Sequence, residues 1–583
     1  MIMKRYLRSL TLSTVVVLAP HFLQAQAAVT IDKSIQFQKI DGFGTQYGRQ
    51  VYWDPNPVLF DEDHLRRVID ELGISMHRTF IDAKLEMVND NDDANNTDLQ
   101  KYKNNLTKLS SNVCEGEYIS HKDQISIAKA YKERALKNGD TIKFHGSVIS
   151  PPHWMKYIKC TFGLDANWNR LVTSEEEADK GGTAEEIKDR KDEFAEWLYA
   201  TTRVWKDEGV EFYAMGIQNE AAFPEPYGSC VYSSKALAGV VAKVDERFDK
   251  EGLSTKIIYP EDIGDLNRLG LFMKAVVSHP VAKKYSHILG VHQYTQDGVT
   301  PGSLGANAWT SINSLAGKSG GPLWMTETSG FGVGVPGMMK MATQLYAALK
   351  FGKVSAWNWL SGTNAESETE DSTGFFVLSG GKQVFTKKAN AFRHYSRHIR
   401  PGAISVQASC ESDVDVLPLA FQDNYRKKLV VVLINVDPNV SKTVSLRFTT
   451  PGAPKKFLGY VSSATQDYQK IDSINSTATI TLPPNSISTY IGNNSTPVVT
   501  ATEGTVSKTD HFEIYPNPAN DRLTIQMVDS EIGTVELYDP QMKFISSYKI
   551  NNRESQIDLQ SLPNGIYYLK IGNQVKKVVV SKD

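Results

Sequence analysis

The chain of 583 residues is poor in cysteine: it has four, Cys114, Cys160, Cys230 and Cys410, and no Cys-x-x-Cys spacing. A disulfide-built miniprotein is excluded, and zinc knuckles or thioredoxin-like redox chemistry are disfavoured. Nor is there a surplus of charge of one sign. Lys and Arg total 64 against 66 Asp and Glu, for a formal net charge of −2. The basic footprint of a nucleic-acid binder is absent, and no polynucleotide partner is expected. The twelve histidines form no His-x-His and no His-Glu-x-x-His. A metal-dependent hydrolase therefore has no support, and no metal or cofactor is expected. Beyond the first residues, no stretch is apolar for long enough to cross a membrane as a helix.

What is present begins with Lys4, Arg5 and Arg8, an apolar run from Leu10 to Ala19, and then Ala25-Gln26-Ala27. Charge, apolar run and small residues in that order make a secretory signal peptide over residues 1–27. In an exported chain four cysteines allow one or two disulfides, with the pairing left open.

Eight apolar, β-rich runs alternate with helix-period segments such as Glu193 to Glu208 and Ser233 to Lys250. The runs are Ile40–Thr45, Ser75–Asp82, Ile142–Ser150, Phe212–Glu220, Lys256–Asp262, His287–Tyr294, Pro322–Glu327 and Val354–Leu360. Eight strand-then-helix units predict an α/β fold, a (β/α)8 TIM barrel over residues 28–398, with its site at the C-terminal strand ends. The alternative, an open doubly wound sheet, lacks a Gly-rich phosphate loop after its first strand. From residue 399 to 492 alternating strands without helices predict a side β-sandwich, which the N-terminal strand 28–36 is expected to join. An Asn-, Thr- and Ser-rich linker spans 493–510, and a small all-β module spans 511–583.

Two strands end in glutamate: Ile217-Gln218-Asn219-Glu220 on the fourth, and Trp324-Met325-Thr326-Glu327 on the seventh. Strands four and seven face each other across an eight-stranded barrel, so both carboxyls converge on the mouth. Such a pair suits glycosidic cleavage, one carboxyl donating a proton to the leaving oxygen while the other attacks or activates water. The competing reading is a structural ion pair. Asn219 is a candidate to hydrogen-bond a sugar hydroxyl, the alternative being a strand-end amide that satisfies a loop, and Tyr294 a candidate to donate to Glu327, the alternative being a buried core tyrosine. Aromatics crowd the strand ends: Tyr47, Tyr52 and Trp53, then Trp154, then Trp357 and Trp359. Of these, Trp53, Trp154 and Trp359 are candidate sugar contacts, with Trp359 expected as the platform under the sugar being cleaved. Core packing is the alternative for each.

Gln38 to Gly44, Ser150-Pro151-Pro152-His153-Trp154-Met155-Lys156, Ile217 to Glu220, Trp324 to Glu327 and Phe392 to Pro401 resemble, in order, the signatures of glycoside hydrolase family 30. The resemblance implies a barrel with a side β-sandwich and retaining hydrolysis of β-glycosidic bonds, with Glu220 as acid/base and Glu327 as nucleophile; Arg78 resembles the family arginine near the nucleophile, where a cation would keep Glu327 ionised, with a purely structural ion pair as the alternative. One departure is Ala221, where that family has proline. An acidic run, Glu366, Glu368, Glu370 and Asp371, stands where glucuronoxylan-specific relatives place basic and tyrosine residues, which favours a neutral β-1,6-galactan or β-1,6-glucan, or xylan. A glucuronoxylan-type xylanase, or a carbohydrate-binding surface protein without catalysis, remains the alternative. Arg49 lies close to the first-strand loop, with its role open.

Tyr515-Pro516-Asn517-Pro518-Ala519, Leu562 to Tyr567 and Lys576 to Val580 resemble the sorting domain of type IX secretion. That implies an outer-membrane secretion machinery as partner, and a protein that is secreted or attached to the cell surface. The catalytic part is expected to act as a monomer on a polysaccharide or oligosaccharide.

Overall fold

The computed structural model describes residues 27–46, 61–89, 91–110, 114, 119–179, 188–294, 304–360, 374–379, 382–493, 512–527, 533–539, 544–550, 554–571 and 574–582. Residues 1–26 of the expected signal peptide, Tyr47, Arg49, Tyr52, Trp53 and the acidic run 366–371 lie outside them.

Eight parallel strands close into a barrel: β1 (Gly42–Gln46), β2 (Met76–Ile81), β3 (Lys143–Val148), β4 (Phe212–Gly216), β5 (Lys256–Ile263), β6 (Ile288–His292), β7 (Leu323–Glu327) and β8 (Ala356–Trp359). Closure comes from the pairing of β1 with β8, Gly42 opposite Ala356. Between strands run amphipathic helices such as Lys191–Asp207 and Ser234–Lys250. The second is capped by Ser233, whose side chain accepts from the Ala236 N–H, satisfying a donor that the helix itself cannot.

Alternation along the strands divides the barrel into inward and outward sets. Met76, Ala214, Ile258, Ile288, Trp324 and Ala356 fill a small apolar floor inside. At that floor Asp41 accepts from the Trp324 indole at 2.9 Å and pairs with Lys143 at 2.7 Å. Outward residues, Phe43, Tyr259 and Trp357 among them, join the large core shared with the helices.

The strand Ala27–Lys39 leaves the barrel altogether. It pairs antiparallel with Ile404–Ser409 and parallel with Lys442–Phe448, within a nine-stranded sheet. Its alternate residues Val29 and Ile31 pack with Val406, Val431, Leu433 and Val444 in an aliphatic core, the period-2 burial of a half-covered strand.

Residues 498–583 form a second compact unit. Its described strands make a three-stranded and a four-stranded sheet around Leu523, Ile525, Leu537, Leu569 and Val578. One disulfide joins Cys114 to Cys160, while Cys230 and Cys410 are free. Among the described residues no helix is long and apolar enough to cross a membrane.

Candidate active site

Above the apolar floor the inward positions turn polar. Arg78 follows Met76 on β2, His145 and Ser147 follow on β3, and His292 ends β6. Strict alternation would not bring Glu327 inward together with Trp324. A register shift in the β6–β7 pairing sets His292 opposite Glu327, and the extra residue re-aims the glutamate. A second shift, between Pro260 and Asp262, does the same for Glu261. Glu261 and Glu220 both hold left-handed backbone, each with φ of +51°. That conformation costs a non-glycine residue about 1–2 kcal/mol and is typical of functional sites. The Glu220 N–H donates to the Glu261 carbonyl at 2.9 Å, tying the two turns together. Gly216 makes room for this arrangement: a Cβ there would stand 1.5 Å from the Glu261 carboxylate.

Glu220 and Glu327 face one another, with His292 between them. One donor atom from each of the three lies within 4.8 Å of the others. His292 Nδ1 is 3.0 Å from a Glu220 oxygen and 3.9 Å from a Glu327 oxygen. The Glu327 oxygens are engaged differently: Arg78 donates to one and the Tyr294 hydroxyl to the other. Arg78 is fully buried, and it also donates to Gln46 (2.8 Å), Ser147 (3.0 Å) and Asn219 (2.7 Å). Although this trio is spaced as a cation site would be, the guanidinium already balances Glu327, and a metal ion there would meet like charge.

The charges set the protonation pattern. Burial alone would raise the pKa of Glu327, but the charges of His292 and Arg78 and the hydrogen bonds from Tyr294 and Arg78 bring it below the usual value. Burial would lower that of His292, yet the negative charge of Glu327 and its contact with Glu220 raise it. Glu261, beneath Arg78, would be raised by burial, but His145 and then Arg78 and His292 pull it down to about 2. Ser147 donates to Glu261 at 2.8 Å, and His145 stands 2.9 Å away. Asp262 accepts from the Ala222 N–H at 2.9 Å, holding the turn after Glu220; burial raises its pKa to about 6.

The structure therefore brings Glu220, Glu327, Asn219, Arg78 and Tyr294 together. Asn219 gives its oxygen to Arg78, and among the described residues its amide nitrogen has no partner. Arg78 sits within β2 and not at its end. Trp154 is partly buried, and its indole donates to the Glu86 carbonyl at 3.0 Å. Trp359 departs from expectation. It reaches no solvent, and its ring stacks on Phe375 at 5.2 Å with Phe331 edge-on. Alternation on β8 sends Trp357 and Trp359 into the helix-facing core, so Trp359 offers no open face to a sugar. Glu261, His145, Ser147, His292 and Gln46 were not singled out by sequence reasoning; the only available signal was polarity at alternate positions of otherwise apolar runs. Gly317 to Gly321 fits a Gly-x-Ser-x-Gly pattern, but Ser319 ends a helix and donates to the Ala316 carbonyl. A nucleophile elbow opens a helix instead.

Residues 513–582 match the family model described as the secretion system C-terminal sorting domain. The chain is accordingly an exported protein, secreted or held at the cell surface. Solved structures share the architecture of the larger unit. An endoxylanase of glycoside hydrolase family 30 from Clostridium papyrosolvens C71 superposes with a TM-score of 0.57 at 19% identity, covering 80% of this chain and 100% of that one. The catalytic domain of xylanase C of the same family from Talaromyces cellulolyticus gives 0.60 at 18%, covering 80% and 99%. The endo-β-1,6-glucanase BT3312 gives 0.56 at 18%, covering 80% and 94%. Identities this low establish a common fold.

Proposed function

We propose that the exported chain is a retaining β-glycoside hydrolase of the family 30 type, acting on a β-linked polysaccharide by double displacement. The observation that carries this reading is the facing pair Glu220 and Glu327, with carboxylate oxygens within 4.8 Å of each other. Retaining glycosidases hold their carboxyls about 5–5.5 Å apart, whereas inverting ones leave roughly 6.5–9.5 Å for a water. The roles follow from the surroundings. Glu327, flanked by Arg78 and Tyr294, is kept as the anion that attacks the anomeric carbon. Glu220, beside His292, gives its proton to the departing oxygen. A glycosyl ester then links the anomeric carbon to Glu327. Glu220, now a carboxylate, takes a proton from water, and the hydroxyl oxygen displaces Glu327 on the face the leaving group vacated. The amide nitrogen of Asn219, without a partner among the described residues, donates to the 2-hydroxyl of the sugar, a bond that strengthens as positive charge develops on the ring.

A neutral β-1,6-galactan or β-1,6-glucan, or xylan, is the favoured substrate, in line with the β-1,6-glucanase and xylanases that share the fold. Incubation with an activated 2-deoxy-2-fluoro-β-glycoside should add one sugar mass to the peptide containing Glu327. Labelling elsewhere, or none with an enzyme that still turns over, would remove this mechanism.

A further inference from the structure

Glu220 stands in a tight turn that has to be held from outside. Its left-handed backbone, with φ of +51°, persists in a non-glycine residue only where the surroundings over-determine it. Ala221 also lacks the fixed φ that a proline would give the turn. The Phe223 N–H donates to the Glu220 carbonyl at 3.0 Å and closes the turn on itself. The end of β5 and the helix after it supply the rest. The Glu261 carbonyl accepts from the Glu220 N–H at 2.9 Å, and one oxygen of Asp262 accepts from the Ala222 N–H at 2.9 Å. Farther along, the guanidinium of Arg268 lies 4.3 Å over the Phe223 ring. Among the described residues Asp262 is the one side chain that bonds to the backbone of residues 220–223.

The geometry calls for a carboxylate at position 262. Asp262 reaches no solvent, and its second oxygen accepts from the Ile263 N–H at 2.7 Å. Two backbone donors therefore converge on two acceptor oxygens. An amide in that place would set its NH2 against one of the N–H groups, and a protonated carboxyl would keep only one good acceptor. The same strand end is anchored on its other side. Ile263 pairs with His292, the Gly264 N–H donates to the His292 carbonyl at 2.9 Å, and His292 Nδ1 stands 3.0 Å from Glu220. The charged groups around Asp262 are Arg268 on the helix Leu266–Ser278, His292 at the end of β6, and Glu220 itself. Burial raises the pKa of Asp262 to about 6; Arg268, the Ile263 N–H and His292 oppose the rise, and Glu220 adds to it.

We propose that Asp262 is a positioning residue for proton transfer: as a carboxylate it holds two backbone N–H groups at once, and so keeps Glu220 in the left-handed turn from which it reaches the leaving oxygen. The residue touches neither substrate nor the reacting atoms, and acts only through Glu220. This inference rests on the reading of Glu220 as acid/base, and its test separates the two.

The test compares Asp262→Asn with the wild type on two substrates: the xylo- or β-1,6-gluco-oligosaccharide that the enzyme cleaves, and the β-glycosyl fluoride of the same reacting sugar. Fluoride departs without a proton from Glu220, and kcat/KM on it reports only the attack by Glu327. Misplacement of the donor should lower kcat/KM on the oligosaccharide on the order of 10- to 100-fold and leave that on the fluoride within about 2-fold. Equal losses on both would mean that Asp262 merely supports the fold of the mouth, and no loss on either that the turn holds without it; both overturn the proposal and leave the glycosidase reading standing. A pH profile of the wild type decides the matter even if the variant does not fold. The ratio of kcat/KM on oligosaccharide to that on fluoride should fall as pH drops below about 6 and Asp262 gains a proton. A ratio that stays level, or that rises as Glu220 becomes more fully protonated, overturns the proposal. A folded wild type inert toward the fluoride and the oligosaccharides would overturn the glycosidase reading, and the role of Asp262 with it.

Discussion

The barrel mouth and the side sheet are built from opposite materials. In the side sheet, alternate residues such as Ile31, Val431, Leu433 and Val444 close on one another without a charge among them. In the barrel above its floor, Arg78, His145, Glu261, His292 and Glu327 are all buried. Burying charge costs several kcal/mol per ion unless each finds a partner, so such a cluster is a poor way to stabilise a fold. The sheet's core stabilises by removing apolar area from water. The polar interior fixes where two carboxylates stand, and its positive charges and hydrogen bonds hold the pKa of Glu327 down. Stability and chemistry are thus largely separated in space, and that separation can be tested.

The largest expected effect is at Glu327, the proposed nucleophile. Glu327→Ala should lower kcat on the order of 10^4-fold or more while the protein stays folded. Added azide should restore turnover and give an α-glycosyl azide, identified by NMR; a variant that keeps near-normal activity removes Glu327 from the mechanism. Next comes the group that holds it. Arg78→Lys keeps the charge but cannot donate to Gln46, Glu327, Ser147 and Asn219 at once. A fall in kcat on the order of 100-fold is expected, and a drop in melting temperature with kcat intact would blur the separation.

Glu261 sharpens the comparison from below. Its folded pKa of about 2 lies under the ordinary 4.5, so its ionised form contributes stability above pH 4.5 that is lost as pH falls toward 2. A shift of this size corresponds to about 3 kcal/mol. In Glu261→Gln that part of the acid-induced loss should be missing, so the gap in melting temperature between wild type and variant should narrow as pH falls from 5 to 3. A gap independent of pH would show that Glu261 is not the buried anion described. The smallest effect belongs to the sheet. Ile31→Val should cost about 0.5–1.5 kcal/mol in denaturant unfolding and leave kcat unchanged.

The same contrast explains what the sequence revealed. The eight runs, the side-sheet strand and the two glutamates at strand ends are legible because periodicity and chain position mark them. Tyr294 and Arg78 could be placed for the same reason. Glu261 could not, since its inward aim depends on a shift in β5 pairing and left-handed backbone that no local pattern announces. His145 and His292 read as single polar residues in apolar strands, and their meaning comes from partners more than a hundred or seventy positions away. Trp359 was misplaced for the converse reason. Its position near a strand end suggested the mouth, while alternation along β8 directs it to the helix-facing core. The disulfide pairing was open in the sequence because spacing alone does not choose among four cysteines.

The most direct test of the central claim is the configuration of the first-formed product, followed by proton NMR during hydrolysis of a β-linked substrate by the wild-type enzyme. Glu220 and Glu327 acting as acid/base and nucleophile predict that the β-anomer appears first and mutarotates afterwards. An α-anomer as the initial product would mean that water, and not Glu327, attacks the sugar.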